Sequence, residues 1–250
     1  MKIVIIGGTG LIGSQLTNLL KDKHEVIVAS PNTGVNTLTG EGLDNALENA
    51  DVVVDVSNSP SFADDDVMNF FKTSTSNLLE AEKKANVKHH IALSVVGTQK
   101  LSASGYFRAK QVQEELIGSS SIPYSIVHAT QFFEFAGGVA ASSVKENGMF
   151  VTDAFVQPIA SSEVAAFLAK TVEEKPNLGI AEIAGPERMP MNHWIENYLS
   201  VMNRPSEITI EKEAPYFGAV LEKDTLVPEK AVFESNIRYQ DWIADPKNQR

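Results

Sequence analysis

The stretch IVIIGGTGLIGSQL, residues 3–16, decides how the rest of the chain is read. Four β-prone aliphatic residues run into Gly7, Gly8, Gly10 and Gly13, and apolar positions then recur at helical spacing through Leu11, Ile12 and Leu16. A strand that turns at once into a helix needs residues without a Cβ at the bend, and the same lack lets the backbone come close to a ligand. The unpaired N–H groups of the helix start suit a pyrophosphate. The expectation is a dinucleotide held by Gly7, Thr9, Gly10, Leu11, Ile12 and Gly13.

Outward from this turn, short β-rich runs alternate with helical patterns. Strands are expected at 2–7, 25–30, near 33–36, 51–57, 89–97 and 124–130. Helices are expected at 11–22, 40–49 and 62–85, and around Tyr106. DVVVDVS (51–57) is bare of polar residues until Asp55, as a strand covered on both faces should be. Such alternation implies an α/β fold, a Rossmann-type doubly wound parallel sheet. After residue 130 it loosens: helices are expected at 132–143, 162–174 and 193–202, and strands at 156–161 and 179–185. The reading is one domain over 1–250, with a dinucleotide-binding core at 1–130 and late strands plus a small C-terminal substrate lobe at 131–250. Periodicity weakens after about residue 205, and 245–250 reads as a frayed tail.

Composition narrows the function classes. The 250 residues carry a net charge of −11 and only five arginines, with no basic run beyond Lys83-Lys84, which argues against nucleic acid and anionic membranes. The absence of cysteine removes disulfides, thiolate metal sites and thiol nucleophiles. No stretch has the length of a membrane span, and the first residues lack a signal-peptide pattern. A cytoplasmic protein with a small-molecule substrate is expected, a homo-oligomer being compatible with all of this. His89-His90 does not read as a metal site, since neighbouring strand residues point to opposite faces. Asp64-Asp65-Asp66 reads as a solvated helix start.

The second decisive stretch is SGYFRAKQ, residues 104–111. Tyr106 follows a Gly/Ser-rich loop and falls in the first turn of a helix, and Lys110 lies four residues on, on the same face. Ser94 sits twelve residues upstream near the carboxyl end of a central strand, where α/β sheets carry ligands. GGTGLIG, then Ser94, then Y-x-x-x-K in this order resembles the short-chain dehydrogenase/reductases. GYFRAKQVQEELI, ATQFFEF, and QPIASSEVAAFLA followed by IAGPE are similar to the atypical, NmrA-like NAD(P)H-binding branch, over most of the chain to about residue 190.

The resemblance implies roles. Tyr106 would exchange a proton with the substrate oxygen as hydride moves, Lys110 would lower the phenol's pKa and hold the nicotinamide ribose, and Ser94 would hydrogen-bond the reacting oxygen. The second strand ends Ala29-Ser30-Pro31-Asn32, with neither an acidic residue nor an arginine. Ser30, Asn32 and Thr33 can donate hydrogen bonds there, so NADP(H) is favoured over NAD(H). Asn36 stands where the family often has an adenine-contacting Asp. Ser57, Ala129 and Thr130 are further cofactor-lining expectations. His128-Ala129 replaces the Arg-Pro common in this branch. His128, Phe132 and Phe133 are candidates for the substrate pocket; core packing is equally open to the two phenylalanines, and a strand histidine is more often structural. The implied function is NAD(P)H-dependent reduction of a small apolar carbonyl, enone or quinone-like compound. The alternatives are a non-catalytic NAD(P)-binding redox sensor and a nucleotide-sugar epimerase or dehydratase.

Overall fold

The structure is a computed structural model that describes residues 1–204 and 206–249. In chain order, β1 (Lys2–Ile6), α1 (Leu11–Leu20), β2 (Glu25–Ala29), α2 (Leu43–Leu47), β3 (Val52–Asp55), α3 (Asp64–Ala85), β4 (His89–Val95), α4 (Gly105–Ser119) and β5 (Tyr124–Ala129) keep the expected alternation. They are followed by α5 (Ala136–Ser142), β6 (Val144–Lys145), β7 (Gly148–Val151), β8 (Phe155–Val156), α6 (Ser161–Glu173), β9 (Ile180–Ala184), β10 (Met189–Pro190), α7 (Met191–Val201), β11 (Ile208–Ile210), β12 (Phe233–Glu234) and α8 (Tyr239–Ile243). The central sheet is parallel, seven-stranded and ordered β12-β9-β5-β4-β3-β1-β2. Strand order reverses beside β1, which places a topological switch point between the carboxyl ends of β1 and β3, where such sheets bind ligands.

The chain divides into two compact units that interleave in sequence. The first comprises 1–94, 105–128 and 164–181, and the second 95–104, 129–163 and 182–250. In the first unit, Ile3, Val4, Ile5, Val53 and Val54 are sealed from solvent. That continuous apolar run is what a strand covered on both faces requires. The longest helix, α3, starts with three aspartates, ends with Lys83 and Lys84, and stops at Asn86 in the left-handed conformation (φ 56°). Charge at each end thus complements the helix dipole, and the left-handed cap ends the hydrogen-bond ladder.

The second unit has its own aromatic core, in which Phe133 lies 5.1 Å from Tyr239 and 5.4 Å from Trp242, and Trp194 lies 6.1 Å from Tyr239. It also carries a small sheet ordered β11-β7-β6. The strand expected near 33–36 is absent. Ser30 and Thr33 form a reciprocal cap around a 3-10 turn at Pro31–Thr33, and Asn36 makes only an isolated bridge to Glu41. The strand expected at 156–161 is cut to Phe155–Val156, because Pro158 cannot donate to a ladder. The helix expected at 132–143 begins as a 3-10 turn at Phe133–Phe135 and becomes α-helical only at Ala136. In place of a frayed tail, Asp245 caps a 3-10 turn at Pro246–Asn248, while Arg250 lies outside the described residues.

Candidate active site

The glycine turn is a site built from backbone. Gly7 holds φ +77°, and a Cβ there would come within 2.8 Å of the backbone N and Cα of Ser57, so the ends of β1 and β3 approach as only glycine allows. A Cβ on Gly13 would run into the Gly7 carbonyl and the Gly8 backbone. Helix α1 begins after Gly10 with no side-chain cap and no acidic residue in its first turn. Nothing negative in the helix start itself competes for an anion there.

At the end of β2, Thr33 Oγ1 accepts from the Ser30 N–H at 2.9 Å and lies 2.8 Å from the Val28 carbonyl it can donate to. The hydroxyls of Ser30 and Thr33 are thereby spent on the local turn, leaving Asn32 exposed. Asn36 uses its side-chain oxygen to accept from Leu38 N at 2.9 Å. Ser57 donates both its N–H (3.0 Å) and its hydroxyl (2.6 Å) to Asp55 Oδ1.

The tyrosine and lysine stand on α4 as expected, Tyr106 in its first turn. Both lean on one ring of α3: the Tyr106 ring meets Phe71 edge-on at 6.0 Å, and the Lys110 ammonium lies 4.5 Å from the centre of the same ring. Phe62, otherwise exposed on the loop before α3, covers Tyr106 at 5.8 Å. Lys110 is 2 % exposed and donates to the Leu93 carbonyl at 2.9 Å and to Gln113 Oε1. Burial brings its pKa down to about 8, opposed by the carboxylates of Asp55 and Glu114. One expectation needs correcting here. Lys110 does not lower the phenol, because burial alone acts on Tyr106 and pushes it up to about 12. The ammonium is instead committed to β4 and to its own helix.

Ser94 is buried and donates its hydroxyl hydrogen to Glu114 Oε1 at 2.5 Å, and the same carboxylate oxygen lies 2.8 Å from His128 Nε2. Strand alternation explains the gathering. Val53 pairs with His90 and Asp55 with Ala92, so Asp55, His90 and Ser94 share the sheet face on which Ala92 packs against Ile117 of α4 and Leu79 of α3. On that face His90 Nδ1 meets Glu82 Oε1 of α3 at 2.8 Å, both side chains being wholly enclosed. His89 points the other way, to Ser125 Oγ at 2.8 Å. Among the described residues no group of three or more acidic or histidine side chains could hold a metal.

Asp55, Gln113 and Glu114 join the site although no sequence motif marks them. Their signal is an aspartate ending an apolar strand and polar residues three and four places after Lys110.

In the second unit, Ala129 accepts from Val96 N at 3.0 Å, and Thr130 gives its hydroxyl to the Gln157 carbonyl at 2.6 Å. Phe132 stacks on Phe135 at 5.1 Å, whereas Phe133 is taken up by the aromatic core. Gln131 follows β5 with both amide atoms buried and unpartnered among the described residues.

Comparison with known proteins bears on the family and the fold. The NAD(P)H-binding family matches residues 7–175. Among curated proteins, the chain is 24% identical over 222 residues to the (4-alkanoyl-5-oxo-2,5-dihydrofuran-3-yl)methyl phosphate reductase of Streptomyces griseus, covering 81% of this chain and 74% of that one. It is 28% identical over 225 residues to the chloroplastic divinyl chlorophyllide a 8-vinyl-reductase of Arabidopsis thaliana (74% and 54%). It is 23% identical over 191 residues to the photosystem II assembly factor Ycf39 of Synechocystis (69% and 59%). The chain therefore spans little more than half the length of the latter two relatives. Among solved structures, UDP-glucose 4-epimerase from Bifidobacterium longum superposes with a TM-score of 0.74 at 14% identity, over 100% of this chain and 98% of that one. The Bordetella bronchiseptica enzyme WbmG in complex with NAD does so at 0.71 and 17%, over 98% and 92%. These likenesses establish the fold. Glycine turn, switch point and family match together make this chain a member of the NAD(P)H-binding family of atypical short-chain dehydrogenase/reductases.

Proposed function

We propose that the chain is an NAD(P)H-dependent oxidoreductase that reduces a small, apolar carbonyl, enone or quinone-like compound, with Tyr106 as proton donor. The observation that carries this reading is the burial of the Lys110 ammonium beside the carboxyl end of β4, one turn of α4 from Tyr106. Burying an ammonium costs stability, and groups perturbed in this way cluster at functional sites. The reductases among the curated relatives support the reaction type.

A bound nicotinamide would supply the hydride. The N–H groups of the uncapped α1 start and the Gly7–Gly13 turn receive its pyrophosphate. Lys110 holds ribose hydroxyls by charge-assisted hydrogen bonds. Tyr106 gives its hydroxyl proton to the substrate oxygen, its ring positioned by contacts with Phe62, Phe71 and Phe107. Ser94, whose hydrogen already goes to Glu114, acts as an acceptor that orients a neighbouring hydroxyl rather than as a donor to the reacting oxygen. NADP(H) is the preferred form, because no carboxylate ends β2 to repel a 2′-phosphate and Asn32 is exposed to meet one.

A second reading is an NAD(P)-binding redox sensor without turnover, and it too has an observation in its favour. A phenol pushed up to about 12 is no more acidic than a packing tyrosine.

One experiment separates the two. NADPH oxidation, followed at about 340 nm, is measured against a panel of carbonyls, enones and quinones. Turnover should fall about 100-fold or more in Tyr106→Phe with NADPH affinity intact. Tight NADPH binding with no turnover of any substrate would replace the enzyme with the sensor.

A further inference from the structure

Lys110 and the turn after β3 are joined through two residues that the proposed reaction does not use. Asp55 Oδ1 accepts from Ser57 N and Oγ, while Asp55 Oδ2 accepts from Gln113 Nε2 at 3.0 Å. Gln113 Oε1 in turn accepts from the Lys110 ammonium. The orientation of the Gln113 amide is chemically fixed. Reversing it would set its carbonyl against a carboxylate and its NH2 against an ammonium. Both residues are sealed, Gln113 at 1 % and Asp55 at 2 % exposure, so no solvent competes for these bonds.

We propose that Asp55 and Gln113 are positioning residues that lock the Lys110 ammonium and the Ser57 turn into one assembly, keeping the lysine charged and aimed at the cofactor. The inference rests on the reading that Lys110 holds the cofactor, and it adds the device that lets a buried amine do so. A carboxylate in direct contact would neutralise the ammonium and turn it away from a ligand. An amide between them passes on orientation and leaves part of the charge to act outward.

The other groups facing Lys110 do not duplicate the role. The Phe71 ring comes from α3, the Leu93 carbonyl from β4, and Glu114, which binds Ser94 and His128, from α4. Asp55 also acts on the enclosed Glu82–His90 pair, raising both, so its charge is shared within one layer. Burial against only these two carboxylates leaves Lys110 at about 8, which makes its charge sensitive to loss of either.

The test uses the full chain without cofactor. Lysine side-chain nitrogen NMR follows Lys110 through its titration in wild type, Asp55→Asn and Gln113→Leu. NADPH affinity is measured by fluorescence across the same pH range. In wild type, affinity should weaken as pH rises through about 8. Asp55→Asn should move the lysine midpoint and the onset of weakening down together by about one unit, while binding stays near wild type at pH about 6. Gln113→Leu, which leaves the carboxylate in place, should weaken NADPH about tenfold once Lys110 is free to turn. It also stands as the second variant if Asp55→Asn does not fold. An unmoved midpoint or a loss of affinity equal at every pH in Asp55→Asn, or an affinity near wild type in Gln113→Leu, would reduce the pair to structural packing and overturn the proposal. Turnover does not enter these readouts. A shifted titration in a protein that reduces nothing would sink the proposed reaction and leave this inference standing.

Discussion

Two regions of the first unit solve the problem of buried polarity in opposite ways. The glycine turn has almost no side chains: its polar groups are backbone amides left open at a helix start, and its precision comes from missing Cβ atoms. The layer beneath α3 and α4 is all side chain. Asp55, Glu82, Glu114, Lys110, His90 and His128 are enclosed there, Glu82 paired with His90, Glu114 with His128, and Asp55 joined to Lys110 through Gln113. The first region is rigid by sterics and nearly indifferent to pH. The second is held by charges whose protonation must agree, so pH should act on it first. The lesson is that a sheet of this kind can hold a cofactor with geometry and tune it with electrostatics, using separate residues for each.

The largest effect should come from breaking the steric region. Gly13→Val puts a branched Cβ into the Gly7 carbonyl and the Gly8 backbone, which cannot yield as a flexible side chain would. NADPH affinity is expected to fall more than about 100-fold, with a loss of several kcal/mol in stability. Fluorescence titration and thermal melts measure both. Wild-type binding by this variant would show that the turn does not approach a pyrophosphate at all.

The electrostatic region should break through pH. Glu82 is raised above its ordinary value by burial. His90 is pulled down by burial, but the neighbouring Glu82 and Asp55 carboxylates leave it raised overall. Groups that hold protons more tightly when folded contribute stability below their unfolded values of 4.5 and 6.5, and lose it as pH rises through the folded values. Lys110 has the opposite sign. With its folded value near 8 below the ordinary 10.5, it should return stability between those two pH values as the unfolded chain remains protonated longer. Melting temperature should therefore decline through the neutral range and recover above about pH 8, and Lys110→Met should remove the recovery. Glu82→Ala strands His90 and should cost about 3–5 kcal/mol, whereas replacing both members with leucine should cost far less. A flat profile would mean that the pair does not carry a shared proton.

The same contrast explains what was legible in the sequence. Glycines at a strand–helix bend have one stereochemical reading, so the turn, the parallel sheet and the places of Tyr106 and Lys110 on α4 followed from spacing. The polar layer did not. Glu82 sits in LLEAEKKA beside Glu80, Lys83 and Lys84, and nothing in that run separates the enclosed carboxylate from the solvated ones until β4 brings His90 opposite it. The phenol's upward shift was hidden for a related reason. Y-x-x-x-K puts two side chains on one helix face, but whether the ammonium speaks to the phenol or to a strand carbonyl is decided by Leu93 and Gln113. Beyond residue 205, strands of two or three residues such as β11 and β12 are too short to show a period.

The smallest effect tests the outer flank of the glycine turn, at the end of the edge strand β2. The cap formed by Ser30 and Thr33 occupies their hydroxyls, while Asn32 is exposed and stands outside the cap. Asn32→Asp adds a charge without touching the core or the cap. Placed within several ångströms of a 2′-phosphate at an exposed site, it should disfavour NADPH by about 1.4 kcal/mol, which is tenfold in affinity, and leave NADH almost unchanged. The ratio of the two dissociation constants is the readout, and it cancels any general loosening of the turn. Raising salt should shrink the difference, because screening weakens charge repulsion but not a steric clash. An unchanged ratio would mean that the second strand does not discriminate between the cofactors. The proposed preference for NADP(H) would then lose its basis in this turn.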